Sequence, residues 1–150
     1  MTKQELIDKI EALEEQLEYH RRNYITGLYQ RHDFMKKLEE KEKKKCKFKL
    51  TMYDVNGLHE TNRLHGYSAG DALLKKVAAD LMDCKDGCYN YHIGGDEFFT
   101  ISRTEPPEIE GTTQATVDSK DFNTIDEMLD AVDKLVREKK RKLKRRRTDI

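Results

Sequence analysis

Cys88-Tyr89-Asn90-Tyr91-His92-Ile93-Gly94-Gly95-Asp96-Glu97-Phe98-Phe99-Thr100-Ile101-Ser102 is the stretch on which the fold turns. Cys88 to Ile93 and Glu97 to Ser102 are rich in aromatic and β-branched residues, so they read as two strands. Gly94-Gly95-Asp96 joins them as a tight turn, with glycine where positive φ is required. Upstream, residues 68–83 give a helix with Ala72, Leu73, Val77, Ala78 and Leu81 on one face. Residues 55–67 read as loop and short helix. Before them, Phe48, Leu50 and Met52 alternate with polar residues in a strand that ends at Asp54. A helix from Arg31 to Lys45 turns Phe34, Met35 and Leu38 inward and its lysines outward, and Thr26-Gly27-Leu28 separates it from an earlier helix over residues 5–22. Downstream, residues 104–111 hold both prolines and form loop, residues 112–117 form a strand, and a helix runs over 123–146. Asn123 or Thr124 can cap that helix, and Asp126 and Glu127 suit its first turn. The order α-α-β-α-β-β-β-α predicts an α+β fold, with helices over a mainly antiparallel sheet.

The 150 residues fit one domain plus an appendage, and 39% charged against 36% hydrophobic residues requires part of the chain to be solvated helix. The 29 basic and 29 acidic residues cancel, so no whole-molecule field argues for nucleic acid. The basic residues do cluster, with eight lysines in 36–49 and ten Lys or Arg in 134–147. The tail is read as a solvated helix end. The N-terminus has no apolar signal region, and no run approaches the ~18 apolar residues of a membrane span. Three cysteines, an odd and sparse set, suit a reducing compartment, so the cytoplasm is expected. Leu6, Ile10, Leu13 and Leu17 take the four-three spacing of a coiled coil, which serves pairing with a second chain or packing within the domain equally well.

The chemistry concentrates on Asp54 and on Asp96-Glu97. Were their strands neighbours, these carboxylates would meet at one end of the sheet as hard oxygen ligands. That is the set Mg²⁺ requires when it shares its shell with substrate phosphates. Gly94 and Gly95 would let a ribose or phosphate approach the backbone. As residue chemistry alone, an ordinary acidic hairpin turn is the favoured reading, because Gly-Gly-Asp turns are common.

Ile93-Gly94-Gly95-Asp96-Glu97-Phe98 resembles the signature of the GGDEF family of nucleotide cyclases. Ile25-Thr26-Gly27-Leu28 followed by Arg31 and Phe34 is similar to that family's opening segment. Met52-Tyr53-Asp54-Val55-Asn56-Gly57-Leu58 is similar to its metal strand, and Asn62, Gly66, Gly70-Asp71 and Leu73-Leu74 to its nucleobase segment. The resemblance implies an N-terminal helix over 1–22 and a shortened domain of the palm-like nucleotidyl-cyclase fold over 23–147. It further implies that Asp54, the Val55 carbonyl, Asp96 and Glu97 hold Mg²⁺ or Mn²⁺, with Asp54, Asp96 and Glu97 supporting catalysis. Asn62 and Asp71 would read guanine; Asp accepts from its N1–H and N2–H while Asn bonds O6 or N3. Gly94, Gly95, Leu58, Lys140 and Lys144 would complete the substrate site, the two lysines on phosphate. The activity implied is condensation of two GTP to cyclic di-GMP and pyrophosphate between the halves of a homodimer. The alternatives are a domain that binds GTP or a cyclic dinucleotide without turnover, and a protein-interaction module.

The sequence also departs from the family pattern. Asn23 and Gln30 replace an aspartate and an asparagine near the start, and Asn56 replaces a second acid of the metal strand. His59 stands where lysine is usual, and Arg137 where tyrosine is usual. The segment from Ser102 to Thr112 lacks a helix, which leaves a sheet face for a partner chain or the N-terminal helix to cover. The ends of a product-inhibition motif would fall on Lys85 and Cys88, neither of which suits it. Cys84, Cys88 and His92 lack a fourth ligand for zinc. The histidines are otherwise read as surface residues, and Tyr24, Tyr29, Tyr67 and Tyr89 as packing residues.

Overall fold

The computed structural model describes residues 1–83 and 88–148, the side chains as far as residue 145. The elements are helices α1 (Lys3–Arg21) and α2 (Arg31–Lys43), strand β1 (Lys49–Val55), and helices α3 (Leu58–His65) and α4 (Tyr67–Met82). Strands β2 (Tyr89–Gly94), β3 (Glu97–Ser102) and β4 (Thr112–Asp118) follow, then helix α5 (Ile125–Thr148). Among the described residues the strands form one sheet in the order β2-β3-β1-β4, with every pairing antiparallel. The fold is α+β, a central antiparallel sheet flanked by helices.

Strand alternation divides the core between two faces. Leu50 and Met52 lie opposite Ile101 and Phe99 on β3 and opposite Val117 and Ala115 on β4. They pack with Phe34 and Leu38 of α2 and with Met128, Val132 and Val136 of α5. Tyr53, Val55 and Phe98 face the other way, onto Leu74, Val77, Ala78 and Leu81 of α4. Each such fully buried side chain contributes about 1.5–3 kcal/mol. The face that α4 buries is set by Leu74 and not by Ala72, which is exposed, nor by half-buried Leu73. Positions 70, 74, 77, 78 and 81 keep the three-four spacing, and they rotate the expected stripe toward Leu74.

The short segment between β3 and β4 closes much of the face that it was expected to leave open. Ile109 is buried in the α4-side core, and the Tyr53 hydroxyl donates to the Pro107 carbonyl at 2.8 Å. The remaining part of that face, on β4, carries the polar residues Thr112, Gln114, Thr116 and Asp118, which stay half-exposed. Thr51 beneath them is fully buried and bonds Thr116 at 2.9 Å. No partner is required to dry a surface of this composition.

α1 does not serve as that cover. It begins with a capping box of Thr2 and Glu5 and buries none of its residues, so its apolar stripe is left uncovered among the described residues. Its C-terminal end alone is tied down. Arg21 bonds Asp33 at 2.6 Å, and Arg22 reaches Glu18, the Gly27 carbonyl and the Tyr29 hydroxyl. At the other end of the chain, the Thr124 hydroxyl caps α5 by accepting from the Glu127 N–H at 3.2 Å.

Three expectations are corrected. Tyr24 and Tyr67 are exposed, at 85% and 79%, so they are not packing residues, and Tyr89 is half-exposed beneath the Lys37 ammonium. His92 is buried in a hydrogen-bonded setting and is no surface residue. Cys88 is disulfide-bonded while Cys46 is a free exposed thiol, so the cysteine set is not wholly reduced. Cys84 and Lys85 lie outside the described residues. No helix among the described residues is long and apolar enough to cross a membrane.

Candidate metal and nucleotide site

The site begins where β1 and β3 run out together. In the antiparallel register Asp54 lies directly opposite Glu97, on the face that α5 covers. The β2–β3 turn then brings Asp96 over the end of β1, where the Val55 N–H donates to the Asp96 carbonyl at 2.8 Å. One oxygen from each of Asp54, Asp96 and Glu97 lies within 4.8 Å of the others. All three residues are half-buried, so they are partly dry yet still open to a ligand.

Three carboxylates this close repel one another. Burial pushes the Asp54 carboxyl above its ordinary value, the Lys140 hydrogen bond opposes it, and the neighbouring Asp96 raises it further. Burial likewise raises Glu97, reinforced by Asp96, Asp54 and Asp133 and opposed by Arg31. Lys140 reaches down from α5 and donates to Asp54 Oδ1. Its ammonium stands where a cation is wanted. Hard oxygens, mutual repulsion and a cation already drawn in together fit Mg²⁺ or Mn²⁺.

A pH dependence follows from those raised carboxyls. The folded state holds their protons more tightly than the unfolded chain does. Their contribution to stability is therefore complete below ordinary carboxylate values and is lost as pH rises through the raised folded values. A divalent cation replaces those protons. The rise in thermal midpoint on adding Mn²⁺, measured against EDTA, is expected to be larger at about pH 8 than at about pH 5.

The other residues singled out from the sequence group around this triad. Lys140 and Lys144, one helical turn apart on α5, line a cleft of 120 Å³ with Asn56, Gly57 and Leu143, just beyond the end of β1. Asn56 itself accepts from the Thr113 hydroxyl at 2.7 Å, which ties the end of β1 to β4. A wider cleft of 580 Å³ runs along β4 past Glu108, Glu110, Lys139 and Lys142. It lies outside the carboxylate cluster, and its size does not make it the centre of the chemistry. Val55 is buried beside Asp54, Leu58 opens α3, and His59 is exposed next to it.

Asn62 and Asp71 sit where α3 meets α4. The Asn62 side-chain oxygen is buried with no hydrogen-bond partner. It lies against Gly70, where an added Cβ would come within 1.7 Å of it. Glycine at position 70 is thus what allows Asn62 to lie beside the start of α4, next to Asp71. If Asn62 reads a guanine as the resemblance implies, Gly70→Ala displaces it and weakens GTP binding about tenfold or more, while the thermal midpoint falls only slightly. Fluorescence or calorimetric titration of GTP checks it.

A comparison with protein families matches residues 22–144 to "Diguanylate cyclase, GGDEF domain". The chain belongs to the GGDEF family. No curated protein matches it. Solved structures from Caulobacter crescentus and Pseudomonas aeruginosa share its fold at low identity. The coiled coil and GGDEF domain of DgcB from Caulobacter crescentus, in complex with c-di-GMP, superposes with a TM-score of 0.77 at 16% identity, covering 91% of this chain and 89% of that one. A sensory box/GGDEF family protein from the same organism gives 0.67 at 20%, covering 81% and 99%. The FimX GGDEF domain of Pseudomonas aeruginosa gives 0.71 at 15%, covering 81% and 94%.

His92, which the sequence suggests is a surface residue, is buried in this GGDEF domain. Its ring meets the Gly95 carbonyl three positions on and the Thr26 hydroxyl 66 positions away, and the second contact is not visible in the local sequence.

Proposed function

We propose that this GGDEF domain condenses two GTP into cyclic di-GMP and two pyrophosphates, across the interface of a homodimer. The observation that carries the reading is the cluster of Asp54, Asp96 and Glu97 with Lys140 drawn onto it from α5. Asp54, Asp96, Glu97 and the Val55 carbonyl would hold Mg²⁺ or Mn²⁺. Bound there, the ion supplies positive charge against the oxygens of the reacting phosphate. Lys140 and Lys144 hold the phosphates from the α5 side. Gly94 and Gly95 admit the ribose and phosphates close to the backbone. Leu58 flanks the nucleotide, and Asn62 and Asp71 read the guanine edge, Asn62 by donating from its side-chain amide to O6 or N3 and Asp71 by accepting from N1–H and N2–H. Each ribose 3′-hydroxyl attacks the α-phosphorus of the other GTP, and pyrophosphate leaves. Held between fixed cations and dipoles, the charge on that phosphate costs less than it does in water.

Incubation with GTP and Mg²⁺ or Mn²⁺ tests this. Pyrophosphate and cyclic dinucleotide in a 2:1 ratio support it. GTP-dependent thermal stabilisation without product would instead identify a binding domain, and neither response an interaction module.

The homodimer draws on α1, whose Leu6, Ile10, Leu13 and Leu17 are about half-exposed. Burying this stripe against its copy in a second chain would bring two sites into one assembly. Leu6→Glu with Leu13→Glu is expected to give a monomer by sedimentation, with product lost and GTP affinity kept.

A further inference from the structure

His92 is 2% exposed, and both of its ring nitrogens are engaged. Nε2 lies 2.9 Å from the Gly95 carbonyl oxygen, and Nδ1 lies 3.1 Å from the Thr26 hydroxyl. The ring stacks on Phe98, with centroids 4.2 Å apart and planes 8° from parallel. The backbone is also used, since the His92 N–H donates to the Tyr29 carbonyl at 2.9 Å. Burial lowers the ring's basicity, against the Gly95 carbonyl and Asp96, which raise it. A carbonyl oxygen can only accept, so the ring proton sits on Nε2 and Nδ1 accepts from Thr26.

The consequence falls on Asp96. The peptide plane before it ends in the Gly95 carbonyl, held by the His92 ring. The plane after it ends in its own carbonyl, held by the Val55 N–H. With both planes pinned, the direction of the Asp96 side chain toward Asp54 and Glu97 is set. Gly95 has φ of +28°, a conformation that glycine tolerates and that relaxes unless something holds it. On the far side of the ring, Thr26 belongs to the loop that Arg22, at the end of α1, grips through the Gly27 carbonyl and the Tyr29 hydroxyl.

We propose that His92 is a positioning residue. Through its bond to the Gly95 carbonyl it aims the Asp96 carboxylate into the acidic triad, and through Thr26 it ties that aim to the loop held by the end of α1. The inference rests on the reading of the triad as a metal site.

The test is Mn²⁺ affinity of the full chain without nucleotide, followed by the electron paramagnetic resonance signal of free Mn²⁺, with thermal midpoints recorded in parallel. His92→Phe keeps an aromatic ring on Phe98 and removes both polar ends. His92→Gln restores a donor at the Nε2 position. The Phe variant is expected to bind Mn²⁺ about tenfold or more weakly, the usual scale for groups that orient metal ligands. The Gln variant should recover most of that loss, and Thr26→Val should fall between. Equal affinities for the Phe variant and the parent would overturn the proposal. So would equal losses in Phe and Gln, which would mark a packing role alone. If the Phe variant does not fold, Gln against Thr26→Val decides: a weaker Gln variant counts against the proposal. A parent that binds no Mn²⁺ defeats the metal reading itself, a result distinct from either.

Discussion

On the proposed reading, Asp96→Asn should sharply weaken metal binding and turnover while making the metal-free protein harder to melt. The three carboxylates lie within 4.8 Å of one another, and Asp96 is among the groups that raise both Asp54 and Glu97. Asparagine keeps the shape, and the backbone carbonyl that accepts from Val55 is untouched. What disappears is one negative charge in a half-buried cluster. Relief of that repulsion is worth about 1 kcal/mol for each pKa unit of differential interaction, which is a rise of about 2–4 °C in the midpoint of a chain this long. The opposite sign applies to metal, since the site loses a third of its anionic ligands. Mn²⁺ affinity should drop about 100-fold and product formation about 10²–10³-fold. Calorimetric titration with Mn²⁺, thermal scans in EDTA and a pyrophosphate assay measure the three quantities. A lower midpoint with unchanged affinity would mean that Asp96 is a structural turn residue.

That opposition of stability and function also explains what was legible in the sequence. The strands announced themselves through their aromatic and β-branched residues, and the Gly94-Gly95-Asp96 turn through its two glycines. The convergence of Asp54 and Glu97 is a matter of register. It is implied by two strand ends that carry acids, yet only pairing of β1 with β3 places them opposite each other. His92 was illegible for the complementary reason. A histidine in a strand pattern looks solvated until a hydroxyl 66 residues away is known to meet it. The α4 stripe was read too far toward Ala72, because alanine and leucine both pass as core on a pattern and the shape of the sheet chooses between them. Size alone marks Tyr24 and Tyr67 as packing residues, although large apolar surface in the exposed loop after α1 and at the start of α4 is compatible with a stable fold. The segment between β3 and β4 looked like a deletion that exposes a face. Ile109 and the Pro107 carbonyl supply the missing cover, and nothing local in a proline-containing loop reveals that it folds back.

Lys140→Met should move metal and nucleotide affinity in opposite directions. The Lys140 ammonium donates to Asp54 Oδ1, and its side chain is one-third exposed against 13% for its partner. A divalent ion arriving without nucleotide must displace that ammonium, so the lysine competes with it. Removing the competitor is expected to strengthen nucleotide-free Mn²⁺ binding about three- to tenfold, since the charge-assisted bond broken on entry is worth about 1–2 kcal/mol at this exposure. On the proposed reading GTP gives the lysine another partner, in the cleft that it lines with Lys144 just past β1. Its loss there removes a cation from the triphosphate, and GTP affinity in Mn²⁺ should fall about tenfold or more. A lysine with a merely structural role would weaken both or neither. Mn²⁺ titrations with and without GTP read the two signs directly, and a parallel fall in both would show that Lys140 supports the fold of the site and does not exchange between carboxylate and phosphate.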